Sequence, residues 1–185
     1  MSYQTYSDFT AQSANIQTLM AMFSDLDAGN DSAVRVVPIV VFMAFSIEAY
    51  INSVGARVIP YWAELERLPW KKKIGILHLA AGRKCDWGKG DLQFADSVFD
   101  LRDKLAHGKP ERVVGPLFPT YNEAHSHRMH NRLEPVWWSK LNKAWAVKSK
   151  EQFRGLMTYI AALHGLHESD HLSISTGGMI HDDER

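Results

Sequence analysis

The run "VVPIVVFMAFSIEAYI", Val36 to Ile51, constrains the fold more than any other stretch. It is apolar nearly all the way round a helix, so the element it forms has to be surrounded on every side. A bilayer would surround it, but the run is short for a span and contains Pro38 and Glu48. The centre of a folded domain is the better host. A chain of 185 residues is long enough to wrap one such helix in a single core. The apolar pattern runs from Val34 to about Ile59, past strand length, which predicts a helix; the β-branched residues leave a strand over Val34 to Val41 as the alternative.

The remaining segments predict helices to pack around it. "SDFTAQSANIQTLMAMFSDLD" reads as helix, with Phe9, Ile16, Leu19, Met20, Phe23 and Leu26 near helical spacing, and "AGND" breaks it. "PYWAELERLPWKKKIGILHLAAG" holds two short helical pieces between prolines, and "RKCDWGKGD" reads as a loop. From about Leu92, behind a capping Asp91, a helix runs to His107 with Phe94, Val98, Leu101 and Leu105 as its apolar stripe. Gly108 and Pro110 stop it. Glu111 to Lys148 reads as an irregular excursion with one short helix near Trp137 to Trp145. "SKEQFRGLMTYIAALHGLHE" is a final helix with Phe153, Leu156, Met157, Ile160 and Leu163 on one face. The expected fold is therefore an all-α, up-and-down helical bundle, one domain over residues 1–170 with an irregular insertion before the last helix. Residues 171–185 are expected to form a flexible tail.

Charge excludes one class of function. The 21 basic and 21 acidic residues balance, so any nucleic-acid site must be a local patch. The single cysteine, Cys85, excludes an internal disulfide and fits a reducing compartment. With no signal pattern in "MSYQTYSDFT", a cytoplasmic protein without a membrane segment is expected.

The stretch "DLRDKLAHGKP", Asp100 to Pro110, carries the chemistry. An RNA 2′-hydroxyl can attack its own phosphate once a base takes its proton, and histidine titrates in the right range. Charge gathering on the phosphate needs a cation, and arginine offers a fork of donors that fits phosphate oxygens. Arg102 and His107 are those two groups. Five residues apart on a continuous helix, they differ by about 140° and do not share a face. They meet only if the helix unwinds at His107 or if a second copy supplies a matching pair across a two-fold axis. Asp103, four residues before His107, is placed to orient the imidazole. An ordinary helix end accounts for the same residues, with His107 favoured in the last turn and Arg102 paired to an acid.

"LRDKLAHGKPE" also resembles the Arg-polar-x-x-x-His signature of HEPN domains, matched by Arg102, Asp103, His107 and the trailing Lys109–Pro110. Upstream, "FMAFSIEAYIN" resembles that family's Glu-x-x-x-Asn helix at Glu48 and Asn52, and "LPWKKKIGILHL" resembles its lysine-bearing helix. The resemblance covers roughly Ala33 to Glu111. It implies a helical bundle that dimerises, with the Arg and His of two subunits facing each other and cleaving RNA without metal or cofactor. Toxins and defence effectors are common among such proteins, and an antitoxin or other protein partner is implied with them. Asp103 departs from the frequent Asn, and Lys109 stands where a modified tyrosine lies in some members. The catalytic expectation falls on Arg102, His107 and Asp103, supported by Glu48, Asn52, Lys104 and Lys109. Lys71, Lys72 and Lys73 form a basic run that reads either as a solvated face or as a place for an RNA backbone. The alternative is a non-catalytic module of the same fold that binds nucleotide, RNA or protein.

Other residues invite chemistry less. His125, His127 and His130, and His164, His167 and His171, lack the cysteine cluster of a closed zinc site, so no metal is expected. Cys85 has no evident base beside it. Trp137, Trp138 and Trp145 with Lys140 and Lys143 read as a packing face or as a base-stacking surface. Glu48, on the central helix, needs a partner such as Lys73, Arg102 or a backbone donor.

Overall fold

The computed structural model describes residues 3–28, 32–88, 90–173 and 175–181. The chain is mostly helical, with a small two-stranded sheet. In order, the elements are β1 (Tyr3–Phe9), α1 (Ala11–Ala28), α2 (Ala33–Val58), α3 (Trp62–Leu65), α4 (Trp70–Ala80), α5 (Gly90–His107), α6 (Tyr121–His130), α7 (Val136–Ser139), α8 (Lys143–Leu163), a single 3-10 turn (Asp170–Leu172) and β2 (Ser175–His181).

The apolar run is helical, and α2 lies at the centre, packed by α1, α4, α5 and α8. By length and composition α2 could cross a membrane; in this fold Val36, Ile39, Val40, Met43, Ile47, Ile51 and Val54 are fully buried instead. Pro38 sits inside the helix without breaking it. Its missing N–H would have served the carbonyl of Val34, near the helix start, and Val34 is exposed, so water can take that carbonyl. The helix ends at Ile59, which is extended because Pro60 follows it. Gly55 lets Trp62 lie directly on α2: a Cβ there would fall 2.2 Å from the indole.

α5 matches its predicted span within two residues, and Gly108, at φ +51°, closes it with its N–H on the Lys104 carbonyl. Val98 and Phe94 of the predicted stripe are buried, with Leu92, Ala95 and Phe99 beside them; Leu101 and Leu105 are half-buried. The break expected at "AGND" falls on residues 29–31, outside the described residues.

Three segments differ from expectation. Residues 3–9 form a strand, not the start of a helix, and Phe9 is exposed; the helical stripe begins at Ile16. The segment after Ser169 is tied down as far as Leu172. Asp170 takes two bonds from Arg57 (2.9 and 2.6 Å) and one from the Tyr50 hydroxyl (3.1 Å), and His171 is buried. Beyond it, β2 pairs antiparallel with β1 from Ser175 against Phe9 to His181 against Tyr3. Within the excursion, α6 forms over Tyr121–His130, capped by Thr120 accepting from the Glu123 N–H, although it buries no residue. The helix expected near Trp137 to Trp145 is instead the one-turn α7 and the first residues of α8, which starts at an Asn142 cap.

Candidate functional site at the end of the fifth helix

Arg102 and His107 leave α5 on different faces, as their spacing demands. The Arg102 guanidinium lies over the Phe99 ring at 5.3 Å. Phe99 stacks on Trp70 at 4.1 Å, and Trp70 meets Trp87 edge-on at 5.6 Å. The Lys71 ammonium is 5.5 Å from the Trp70 and Trp87 rings. Through the buried Phe99, a chain of cation and ring contacts thus links Arg102 on α5 to Trp70 and Lys71 on α4. At its α4 end is an open, largely apolar groove of about 530 Å³, lined by Lys71, Lys72, Gly75, Ile76, Leu79 and Trp87.

His107 belongs to a second groove, of about 400 Å³, that does not include Arg102. The exposed imidazole shares it with Asp103, Lys104 and Lys109, and Trp137 forms part of the wall, its Nε1–H donating to Glu111 at 2.9 Å. No hydrogen bond holds the His107 ring among the described residues. Asp103 lines this groove but does not orient the imidazole as expected; its Oδ1 is 3.1 Å from Arg102 Nη1. A permanently charged guanidinium with its fork of donors is a strong draw for a carboxylate. Lys104 pairs loosely with Asp100 at 3.7 Å.

The upstream residues form a separate, interior node. The Lys73 ammonium is fully buried and donates to Glu48 (2.7 Å), Asn52 (3.1 Å) and the Glu66 carbonyl (3.0 Å). Three acceptors satisfy its three N–H bonds, which is what a buried ammonium requires. Glu48 and Asn52 therefore tie α2 to α4 and stay away from the α5 grooves. Lys73 cannot hold an RNA backbone as part of the basic run, because burial removes it from the surface. Lys71 and Lys72 remain on the groove, with Lys71 also 2.6 Å from Asp96.

The histidines do not converge: among the described residues no three His, Cys, Asp or Glu side chains come together as a cation site. His130 Nδ1 donates to the Ser126 carbonyl, and His167 bonds Ser169. Cys85 is half-buried, and burial pushes its thiol pKa up, away from the reactive thiolate. Trp137 and Trp138 pack edge to face at 5.8 Å rather than presenting parallel platforms.

Sequence reasoning passed over His78 and the Trp70–Trp87 pair. His78 is buried; its Nδ1–H donates to the Ile74 carbonyl (2.8 Å), so Nε2 accepts from the Tyr159 hydroxyl (2.6 Å), joining α4 to α8. "ILHLAAG" lies in a stretch that reads only as short helical pieces, so only the fold exposes this pair. Comparison of the chain with family models, with curated proteins and with solved structures gives no match in any of the three.

Proposed function

We propose that this chain is a HEPN-type, metal-independent endoribonuclease whose cleaving site is completed by a second copy. The observation that carries the reading is the exposed imidazole of His107 at the end of α5, held by no hydrogen bond among the described residues, in a groove that it shares with Lys104 and Lys109 as well as Asp100, Asp103 and Glu111. One chain supplies half of the site, since its own Arg102 faces the other way. Two copies about a two-fold axis bring the Arg102 and His107 faces together. His107 takes the proton of an RNA 2′-hydroxyl, whose oxygen attacks the adjacent phosphorus. The 5′-oxygen leaves with a proton taken from water, and His107 returns its own proton to solvent, giving a 2′,3′-cyclic phosphate and a 5′-hydroxyl. Arg102 neutralises the charge gathering on the phosphate oxygens. Lys71, Lys72 and Trp87 extend the Arg102 side as a path for the rest of the strand, ammonium groups to phosphates and indole to a base. A toxin or defence role, cytoplasmic residence and an antitoxin partner belong to the same reading.

A second reading is favoured by one contact, the Arg102–Asp103 pair, which occupies the phosphate-binding group. In that case the protein is a binding module and cleaves nothing. The pair does not exclude the first reading: it is partly exposed and contributes at most about 1 kcal/mol, so a phosphate can take the place of Asp103 on Arg102 at little cost.

The test is cleavage of labelled RNAs in EDTA by wild type, His107→Ala and Arg102→Ala. Loss of the general base is expected to slow cleavage about 10²–10⁴-fold, with cyclic phosphate ends on the wild-type products. Cleavage undiminished in His107→Ala, or wild-type activity that vanishes with EDTA, overturns the catalytic reading.

A further inference from the structure

A third hollow, more enclosed than the two grooves, lies between α1, α8 and the 3-10 turn and measures about 380 Å³. That size suits a small molecule, since small-ligand pockets run from about 300 to 1,000 Å³. Its floor is apolar: Ile16 and Met20 come from α1, and Phe153 from α8. Ile16 and Phe153 belong to the buried core and make a fixed wall. Met20 is half-buried, and its unbranched thioether adapts to the shape laid on it. A phenyl ring and a thioether both pack well against aromatic rings.

Two observations make this hollow a site and not a packing gap. The first is His171, which lines it. The residue is only 6% exposed, yet its Nδ1 is buried with no hydrogen-bond partner among the described residues. The Glu168 carbonyl is near enough to favour the charged ring but completes no bond to Nδ1. A buried polar atom left unpaired is costly, and a ligand that reaches it removes the cost.

The second is charge. Lys150 and Arg154, four residues apart on α8, both line the hollow. Like charges at this spacing repel one another. Neither forms an ion pair among the described residues; the Lys150 ammonium lies over the Phe23 ring at 5.6 Å. Glu151 and Glu168 also reach the rim. Those two acids and Arg154 are exposed, whereas Lys150 is half-buried, so the least hydrated charge at the hollow is positive. The Arg154 charge also reaches the His171 ring, where it opposes protonation. An anionic group between Lys150 and Arg154 relieves their repulsion and gains charge-assisted hydrogen bonds from both.

We propose that the hollow between α1, α8 and the 3-10 turn binds a small aromatic acid, with its rings on Ile16, Met20 and Phe153 and its anionic group between Lys150 and Arg154. The inference does not rest on the RNA-cleaving reading, since no described residue of α5 lines the hollow.

Two dyes test it by fluorescence titration of the full chain. Anilinonaphthalene sulfonate is an aromatic body with an anionic group; phenylnaphthylamine is the same body without it. The α4 groove, apolar and beside Lys71, is the competing place for either dye, so Lys71→Gln is the control. Wild type is expected to bind both dyes saturably. Lys150→Gln combined with Arg154→Gln should weaken the sulfonate dye about tenfold or more and leave the neutral dye unchanged. Thr158→Trp, which fills the hollow from α8, should abolish both, and Lys71→Gln should alter neither. Absence of saturable binding, a sulfonate dye held as tightly by the double variant as by wild type, or a loss caused by Lys71→Gln overturns the proposal. An unchanged far-ultraviolet helix signal verifies that each variant is folded. If Thr158→Trp fails that check, the charge variants, whose side chains lie outside the core, still decide the outcome.

Discussion

Lys73 and Arg102 are both cations set against a carboxylate on an apolar face, yet the fold gives them opposite tasks. The Lys73 side chain is 0% exposed and has three acceptors; Arg102 is 31% exposed, pairs with an Asp103 that is 51% exposed, and leaves its Nε without a partner among the described residues. The first pair cannot be exchanged for solvent or ligand without dismantling the contact between α2 and α4. The second can be exchanged at little cost. Burial, rather than charge or sequence neighbourhood, separates a structural cation from one available to a substrate.

Lys73→Ala gives the sharpest test of that contrast. It strips Glu48, Asn52 and the Glu66 carbonyl of their donor at once. Removing one partner of a fully buried pair costs about 3–5 kcal/mol, but Glu48 is 38% exposed and can be partly rehydrated. A loss of about 2–3 kcal/mol is expected, or a Tm lower by roughly 5–10 °C for a chain of this size. A Tm within a degree of wild type would place Lys73 with Arg102 and erase the distinction.

The Arg57–Asp170 pair lies between these extremes, with side-chain exposures of 42% and 14%, and it is sharpened by pH. Next to it, His171 has its pKa held below the ordinary 6.5 chiefly by burial, with the nearby Arg154 charge acting the same way; the Glu168 carbonyl and Asp170 oppose. Burial lowers His164 as well. Below about 6.5 the unfolded chain therefore takes up protons that the folded one refuses, and stability falls as pH drops from 7 towards these lowered values. Asp170 is held below the ordinary carboxylate value by its bonds from Arg57, burial opposing. Its stabilisation is present above the ordinary carboxyl pKa and is lost as pH falls through the lowered one. Tm measured from pH 8 to 3 should show two descents, and His171→Asn should flatten the upper one. A Tm that is level between pH 7 and 5 would contradict the histidine assignment.

Arg102→Ala is expected to have the smallest effect on folding. It loses an exposed ion pair and a contact with the Phe99 ring, so stability should shift by no more than about 0.5–1 kcal/mol. A larger fall in a denaturant titration would make Arg102 a structural residue like Lys73.

Much of the helical layout was legible in the sequence because periodicity reports which face is buried. Ile16, Leu19, Phe23 and Leu26, or Phe153, Leu156, Met157 and Ile160, leave little choice of element or face. α6 escaped because none of its residues is buried, so no stripe marked it. Its signal was the Thr120-x-x-Glu123 cap, a local hydrogen-bonding cue that hydrophobic spacing ignores. β1 and β2 escaped for another reason: each finds its partner at the far end of the chain, and no window of sequence contains both.

The candidate site divides along the same line. Sequence by itself determined that α2 must be central, that α5 ends at Gly108, and that Arg102 and His107 point apart, because helix geometry and glycine's left-handed backbone act within a few residues. Only the tertiary structure decided that Lys73 is the partner of Glu48 and Asn52, that Asp103 meets Arg102 instead of His107, and that Trp70 and Trp87 carry the Arg102 side on to Lys71. Those pairings join residues on separate elements or choose between two donors within reach. Burial and distance make that choice, and neither exists until the helices have packed.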